Sequence, residues 1–154
     1  MGAYYFDSSA LVKRYADETG SLWVRSLTDP EARHSIFTAH ITGIEVVAAM
    51  ARKTRMGELT VHEATTAIST FKSHFQTQYQ LVRMTTEIVE RAMELAEQHK
   101  LRGYDATQLA SALVVHAELA ASGVSQFSFI SADTDLNDVA QAEQLSVQNP
   151  NNYP

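Results

Sequence analysis

The chain has 154 residues, 45% of them hydrophobic, which suits one domain with a real core, and its lack of cysteine excludes disulfides, thiolate metal sites and a cysteine nucleophile. A formal net charge of −6 and a pI near 5.4 argue against binding nucleic acid by bulk electrostatics. The start MGAYYFDSS lacks the basic stretch of a signal peptide, Phe6 stands where myristoylation requires Ser or Thr, and no run approaches membrane-spanning length, so a cytoplasmic protein with no membrane partner is expected.

Residues 3–7 (AYYFD) read as a short buried strand, followed by a helix from about Ser9 to Ala16 with Leu11, Val12 and Tyr15 on one face. A second short helix is predicted over Ser21–Leu27, broken by Asp29-Pro30, and a strand over His34–Thr38. A helix from about Ile44 to Arg55 precedes another opened by Thr60 and Glu63 at capping-box spacing. Phe71, Phe75 and Tyr79 recur four apart, a stripe read as core or subunit interface rather than a base-stacking platform. QLVRM (80–84) reads as the third strand and Glu87–Lys100 as a helix; Asp105 opens a long apolar helix that Gly123 stops. FSFIS (127–131) is the fourth strand, Thr134–Glu143 a helix, LSVQ (145–148) a last short strand, and the tail NPNNYP turn-like and peripheral. Strands alternating with helices imply an α/β fold, a parallel sheet covered on both faces, as one domain over residues 1–154.

Four acidic residues stand where strand turns into helix: Asp7, Glu45, Asp105 and Asp133. Each has a plain structural reading. Asp7 and Asp133 can cap the helices after them, and Thr42/Glu45 and Asp105/Gln108 have capping-box spacing. Taken together they say more, because open parallel sheets bind ligands beyond the carboxyl ends of their strands, and helix N-termini help to keep Glu45 and Asp105 ionised. Two unit charges about 5 Å apart repel by roughly 3 kcal/mol at an effective dielectric near 20, so such a cluster calls for a cation. Oxygen-only ligation points to Mg²⁺ or Mn²⁺, which can activate a water for in-line attack on a phosphodiester.

Other templates are absent. There is no phosphate loop, no GxSxG elbow, no HExxH and no dinucleotide glycine fingerprint, and of the six histidines only His40 lies near the expected rim. Lys13, Arg14, Arg52, Lys53, Arg55 and Arg102 are candidates to hold a phosphate backbone beside the acidic rim. An acidic rim also serves phosphomonoesterases, but these need DxD after the first strand, where this chain reads DSS. A non-catalytic receiver-like signalling module needs a phosphoacceptor Asp on a central strand and a later Lys, and QLVRM and FSFIS supply neither.

YYFDSSALVKRY, IEVVAAMAR, LRGYDATQLASAL and FISADTDL, in that order, resemble the PIN-domain nucleases, and within them the VapC-like toxins of toxin–antitoxin pairs. The resemblance implies a three-layer α/β/α sandwich with a central parallel sheet and a Mg²⁺- or Mn²⁺-dependent endoribonuclease. It places the catalytic acids on Asp7, Glu45, Asp105 and Asp133, with Asp7, Asp105 and Asp133 as metal ligands and Asp135, Ser8, Ser131 and Arg102 as accessory positions. It further implies an RNA substrate, a small antitoxin that inserts a basic side chain among the carboxylates, and a homodimer, for which Trp23, Phe71, Phe75 and Tyr79 are the candidate partner-facing side chains.

Overall fold

A computed structural model describes all residues, 1–154. Five strands, β1 (Ala3–Phe6), β2 (Ser35–Ala39), β3 (Gln80–Val82), β4 (Phe127–Ile130) and β5 (Val147–Gln148), form one sheet in the order β3-β2-β1-β4-β5. Every pairing is parallel, with Tyr5 opposite both Phe37 and Phe129. Parallel neighbours need crossovers, and helices supply them. These are α1 (Ser8–Leu11), α2 (Ser21–Thr28), α3 (His40–Arg55), α4 (Val61–Thr77), α5 (Thr86–His99), α6 (Gly103–Ala121) and α7 (Thr134–Ala142).

Successive strand side chains point to opposite faces, and the two cores divide accordingly. Tyr5 and Phe129 pack with Ile88, Leu95, Leu109 and Leu136 of α5, α6 and α7. Phe6 and Ile130 pack with Leu11, Val46, Met50 and Phe71 of α1, α3 and α4. The result is the expected three-layer α/β/α sandwich. Because β1 is central and buried on both faces, the residue that follows it is carried to the middle of the sheet's carboxyl edge. No helix is long and apolar enough to cross a membrane.

Four local expectations are corrected. The first helix ends at Leu11 and tightens into a 3₁₀ turn over Val12–Arg14 instead of continuing to Ala16. Helix α3 begins at His40 rather than near Ile44, since β2 runs straight into it; Gly43 lies inside the helix, where an added Cβ would meet the Phe75 ring at 3.0 Å. Thr42 and Glu45 are therefore interior helix residues and form no capping box, whereas the Thr60–Glu63 box does form, with its two bonds at 2.8 and 3.1 Å. The tail is not peripheral. Pro150 is buried against Gly20, whose φ of +86° favours glycine and where an added Cβ would collide with the Pro150 carbonyl oxygen, and Tyr153 stacks on Trp23 with ring centroids 4.3 Å apart.

The aromatic residues read as partner-facing also turn inward. Phe71 and Tyr79 are buried and Phe75 half-buried in the core beneath α4, while Trp23 is engaged by the tail, so these side chains lend no support to a homodimer. Tyr79 additionally draws in Arg14, whose guanidinium donates to its hydroxyl at 2.6 Å and to Gln78 Oε1 at 2.8 Å. That removes Arg14 from the cations free to hold phosphate.

Candidate active site

Asp7 sits one residue beyond β1, its backbone extended (φ −78°, ψ 174°), and caps α1 by accepting the Ala10 N–H at 3.0 Å. Its carboxylate accepts further hydrogen bonds from Ser9 Oγ at 2.7 Å and from Ser131 Oγ at 2.7 Å. Only 3% of Asp7 is exposed, and burial pushes its pKa up to about 7; the donors from Ser131, Ser9 and Ala10 offset this in part, and the Glu45 charge adds to it. The cap reading of Asp7 is thus borne out, in a carboxylate that is also buried at the sheet's carboxyl edge.

The two serines tie strand ends together. Ser9 Oγ accepts the Ala132 N–H at 2.9 Å and Ser131 Oγ accepts the Asp133 N–H at 3.1 Å, so the loop after β4 is laced to the turn after β1. This brings Asp133 to the same rim, where its carboxylate caps α7 by accepting the Leu136 N–H at 3.1 Å.

Glu45 points from α3 toward this rim. Its Oε1 accepts from Gln108 Nε2 at 2.6 Å and its Oε2 from Ser8 Oγ at 3.2 Å. Burial raises its pKa, with the Asp105 charge adding to the effect and the two donors opposing it. Asp105 lies in the first turn of α6; burial and the Asp133 charge raise its pKa, and Arg102 lowers it. The four carboxylates form a chain of repelling neighbours, Asp7 to Glu45, Glu45 to Asp105, Asp105 to Asp133.

Gln108 was not among the sequence candidates, yet it is 1% exposed and holds the site from behind. Its Oε1 accepts from the Tyr5 hydroxyl at 2.7 Å, which forces its NH₂ toward Thr42 Oγ1 at 2.9 Å and Glu45. The Asp105/Gln108 capping box does not form, because Gln108 is committed to these partners. One sequence signal was available: Gln108 is the lone amide side chain in a mostly apolar α6. Ser9, which bridges both Asp7 oxygens, was missed because a serine after a cap is common and carries no spacing signature.

The remaining candidates divide. Ser8 and Ser131 touch carboxylates directly, and the exposed Arg102 bears electrostatically on Asp105. Asp135 is exposed in the first turn of α7, where an acid is favoured by the helix dipole, and bonds to no other side chain. His40 is exposed with its ring against Phe75, not among the carboxylates.

No three acidic or histidine side chains converge in a ready-made metal cage. The donor set is nevertheless of the hard, oxygen-only kind, and three of its carboxylates are held above their ordinary pKa by burial and one another, a condition that a cation relieves. Mg²⁺ keeps several waters and takes one or two carboxylates directly, so the residues present suit it without a closed cage.

The PIN domain family matches residues 4–142, a span that includes all four carboxylates. Over 115 residues, covering 75% of this chain and 78% of the relative, the sequence is 36% identical to Ribonuclease VapC45 of Mycobacterium tuberculosis. The fold is similar to that of VapBC2 from Rickettsia felis bound to a DNA fragment from their promoter, with TM-score 0.62 and 10% identity over 96% of this chain and 98% of that one. It is similar too to a toxin–antitoxin complex from Klebsiella pneumoniae, with TM-score 0.61 and 19% identity over 96% and 97% of the two chains. A parallel sheet that carries a buried aspartate from its central strand to a rim of three further acids, matched over nearly its whole length to one family, leads to a plain conclusion: this chain belongs to the PIN-domain family.

Proposed function

We propose that the chain is a metal-dependent endoribonuclease that acts as the toxin of a toxin–antitoxin pair, residues 1–154 forming one nuclease domain. The observation that carries the reading is the buried Asp7 at the carboxyl end of the central strand, its pKa pushed up to about 7 within a line of mutually repelling carboxylates. Such an arrangement costs stability and is retained where function needs it.

Asp7, Asp105 and Asp133 would hold Mg²⁺ or Mn²⁺. Bound there, the ion supplies Lewis-acid chemistry: it lowers the pKa of water and neutralises charge on a leaving oxygen. The chain's own residues set the geometry. Ser9, Ser131 and the Ala10 N–H fix the Asp7 carboxylate in one orientation. Glu45, oriented by Gln108 and Ser8 and with its pKa raised, is suited to take the proton of an attacking water as a general base. The named relative is a ribonuclease and two of the similar folds are toxin–antitoxin assemblies, which supports RNA as substrate and a small antitoxin as partner.

Incubation of the purified protein with RNA tests the reading. Cleavage is expected with Mn²⁺ or Mg²⁺, lost with chelator and lost in Asp7→Asn; cleavage that survives either change overturns it. Growth arrest on expression, relieved by co-expressing the product of a neighbouring short reading frame, tests the toxin assignment. Arrest that this product leaves unrelieved refutes the pairing.

A further inference from the structure

Glu45 is gripped unevenly. Its Oε2 accepts from Ser8 Oγ at 3.2 Å and its Oε1 from Gln108 Nε2 at 2.6 Å, so the amide is the closer of the two holds on the carboxylate. The two ends of an amide have nearly the same shape. Turned over, Gln108 would fill the same space and set its own oxygen against the carboxylate, where two acceptors repel. The aim of Glu45 therefore depends on whatever fixes which end of Gln108 it meets.

Tyr5 stands behind that amide. It lies on β1 with no exposed surface, its ring stacked on Phe129 with centroids 5.8 Å apart. Packing alone does not call for its hydroxyl: Phe37 and Phe129, opposite it on the two flanking strands, do without one, and a buried hydroxyl costs stability unless it is bonded. The phenol donates to Gln108 Oε1 at 2.7 Å, and Thr42 Oγ1 accepts the amide's second hydrogen at 2.9 Å. With the amide this way round the phenol hydrogen, both amide hydrogens and the carboxylate are all satisfied. With it reversed, the phenol loses its acceptor and Glu45 its donor. The bonds also run in one direction, from hydroxyl to amide oxygen and from amide hydrogen to carboxylate, and bonds aligned in this way polarise one another in a dry interior.

We propose that Tyr5 is a positioning residue of this centre: its hydroxyl locks the Gln108 amide with an N–H toward Glu45, and so keeps that carboxylate aimed at the attacking water. Fully buried, Tyr5 acts on cleavage only through Gln108. The proposal rests on the ribonuclease reading and adds to it a residue from the central strand that touches neither RNA nor metal.

The test is Tyr5→Phe, which keeps the ring and its stack and removes one oxygen, assayed in Mg²⁺ at a temperature where circular dichroism shows every variant folded. Out of the roughly 10²–10⁴-fold that a general base contributes, kcat for cleavage of a short RNA is expected to fall about tenfold, with KM and the Mg²⁺ requirement unchanged. Ile88→Val, which loosens the same core and removes no member of the polar chain, is expected to leave kcat where it is. In a Gln108→Leu background, adding Tyr5→Phe is expected to change kcat by less than about twofold, because the group through which it acts is gone. In NMR, the Gln108 side-chain amide, identified by its loss in Gln108→Leu, is expected to exchange with solvent faster in Tyr5→Phe. The proposal is overturned if Tyr5→Phe cuts like the parent, if it slows the Gln108→Leu protein by the same factor as the parent, if Ile88→Val slows cleavage as much, or if the Gln108 amide stays equally protected. A parent that cuts no RNA ends the nuclease reading and this role with it; a parent that cuts no faster than Tyr5→Phe leaves the nuclease reading standing and ends the role of Tyr5 alone.

Discussion

Replacing Asp7 with asparagine is expected to stabilise the metal-free protein at pH 8 and to destabilise it mildly near pH 4. In the fold, Asp7 keeps its proton up to a pKa of about 7, whereas its ordinary value is 3.8. Between those values the native state binds a proton that the unfolded state has released, so this group's contribution falls as pH rises through the window and stays low above it. A shift of roughly three units at 1.36 kcal/mol each puts the penalty at about 4 kcal/mol in full ionisation. Asparagine carries no charge and can still accept the Ala10 N–H, but its amide fits the Ser131 hydroxyl less well, a loss of about 1–2 kcal/mol. The net is a gain of roughly 2–3 kcal/mol at pH 8 that shrinks and changes sign as the wild type becomes protonated. Urea unfolding of both proteins in chelator from pH 4 to 8 measures it. A difference in stability that does not vary with pH would show that Asp7 is not buried against its own charge, and the reasoning would fail.

Other outcomes follow from the same contacts. Gln108→Leu strands the Tyr5 hydroxyl, Thr42 and Glu45, and is expected to cost about 1–3 kcal/mol in thermal or urea unfolding and on the order of 100-fold in RNA cleavage, since Glu45 loses its alignment. Unchanged cleavage in a folded Gln108→Leu protein would remove Gln108 from the machinery. Mg²⁺ or Mn²⁺ at about 100 times its Kd should add about 2.7 kcal/mol to the stability of the wild type, and less to that of Asp105→Asn; equal Tm shifts would place the ion elsewhere. Gly20→Ala, at φ +86° beneath the Pro150 carbonyl, is expected to destabilise by more than about 1 kcal/mol, read as a lower urea midpoint.

Much of this architecture was legible because apolar β-rich runs and helical periodicity alternate so regularly along the chain. All five strands are predicted to within two residues at either end, the third and the last each being two residues shorter than expected. What local patterns conceal is which of two identical signals is used. Thr42-x-x-Glu45 and Thr60-x-x-Glu63 share one spacing, yet only the second caps a helix, because β2 passes into α3 without a break and Gln108 claims Thr42 from 66 residues away. The same applies to Arg14, a surface cation by pattern that Gln78 and Tyr79 draw inward, and to the tail, whose polar composition hides the Trp23–Tyr153 stack. Asp7 and Asp133 were readable through their placement after strands, whereas Glu45 lies inside α3 and Asp105 follows α5 rather than a strand, so those two were readable through the family resemblance; the order of the four as a line of neighbours, and Gln108 behind them, arise only from tertiary packing.

The bond between Ser131 and Asp7 spans 124 residues of chain, and β4 is one of only two strands that flank β1. A growing polypeptide that has not yet reached β4 therefore leaves β1 as a sheet edge, with Asp7 hydrated, unbuttressed by Ser131 and lacking Asp133 altogether. Incomplete chains, whether still under synthesis or prematurely terminated, carry the first of the four acids but not the assembled cluster. For a protein that cuts RNA, this order of assembly delays activity until nearly the whole message has been read, and it makes fragments ending before β4 harmless to the transcript that encoded them.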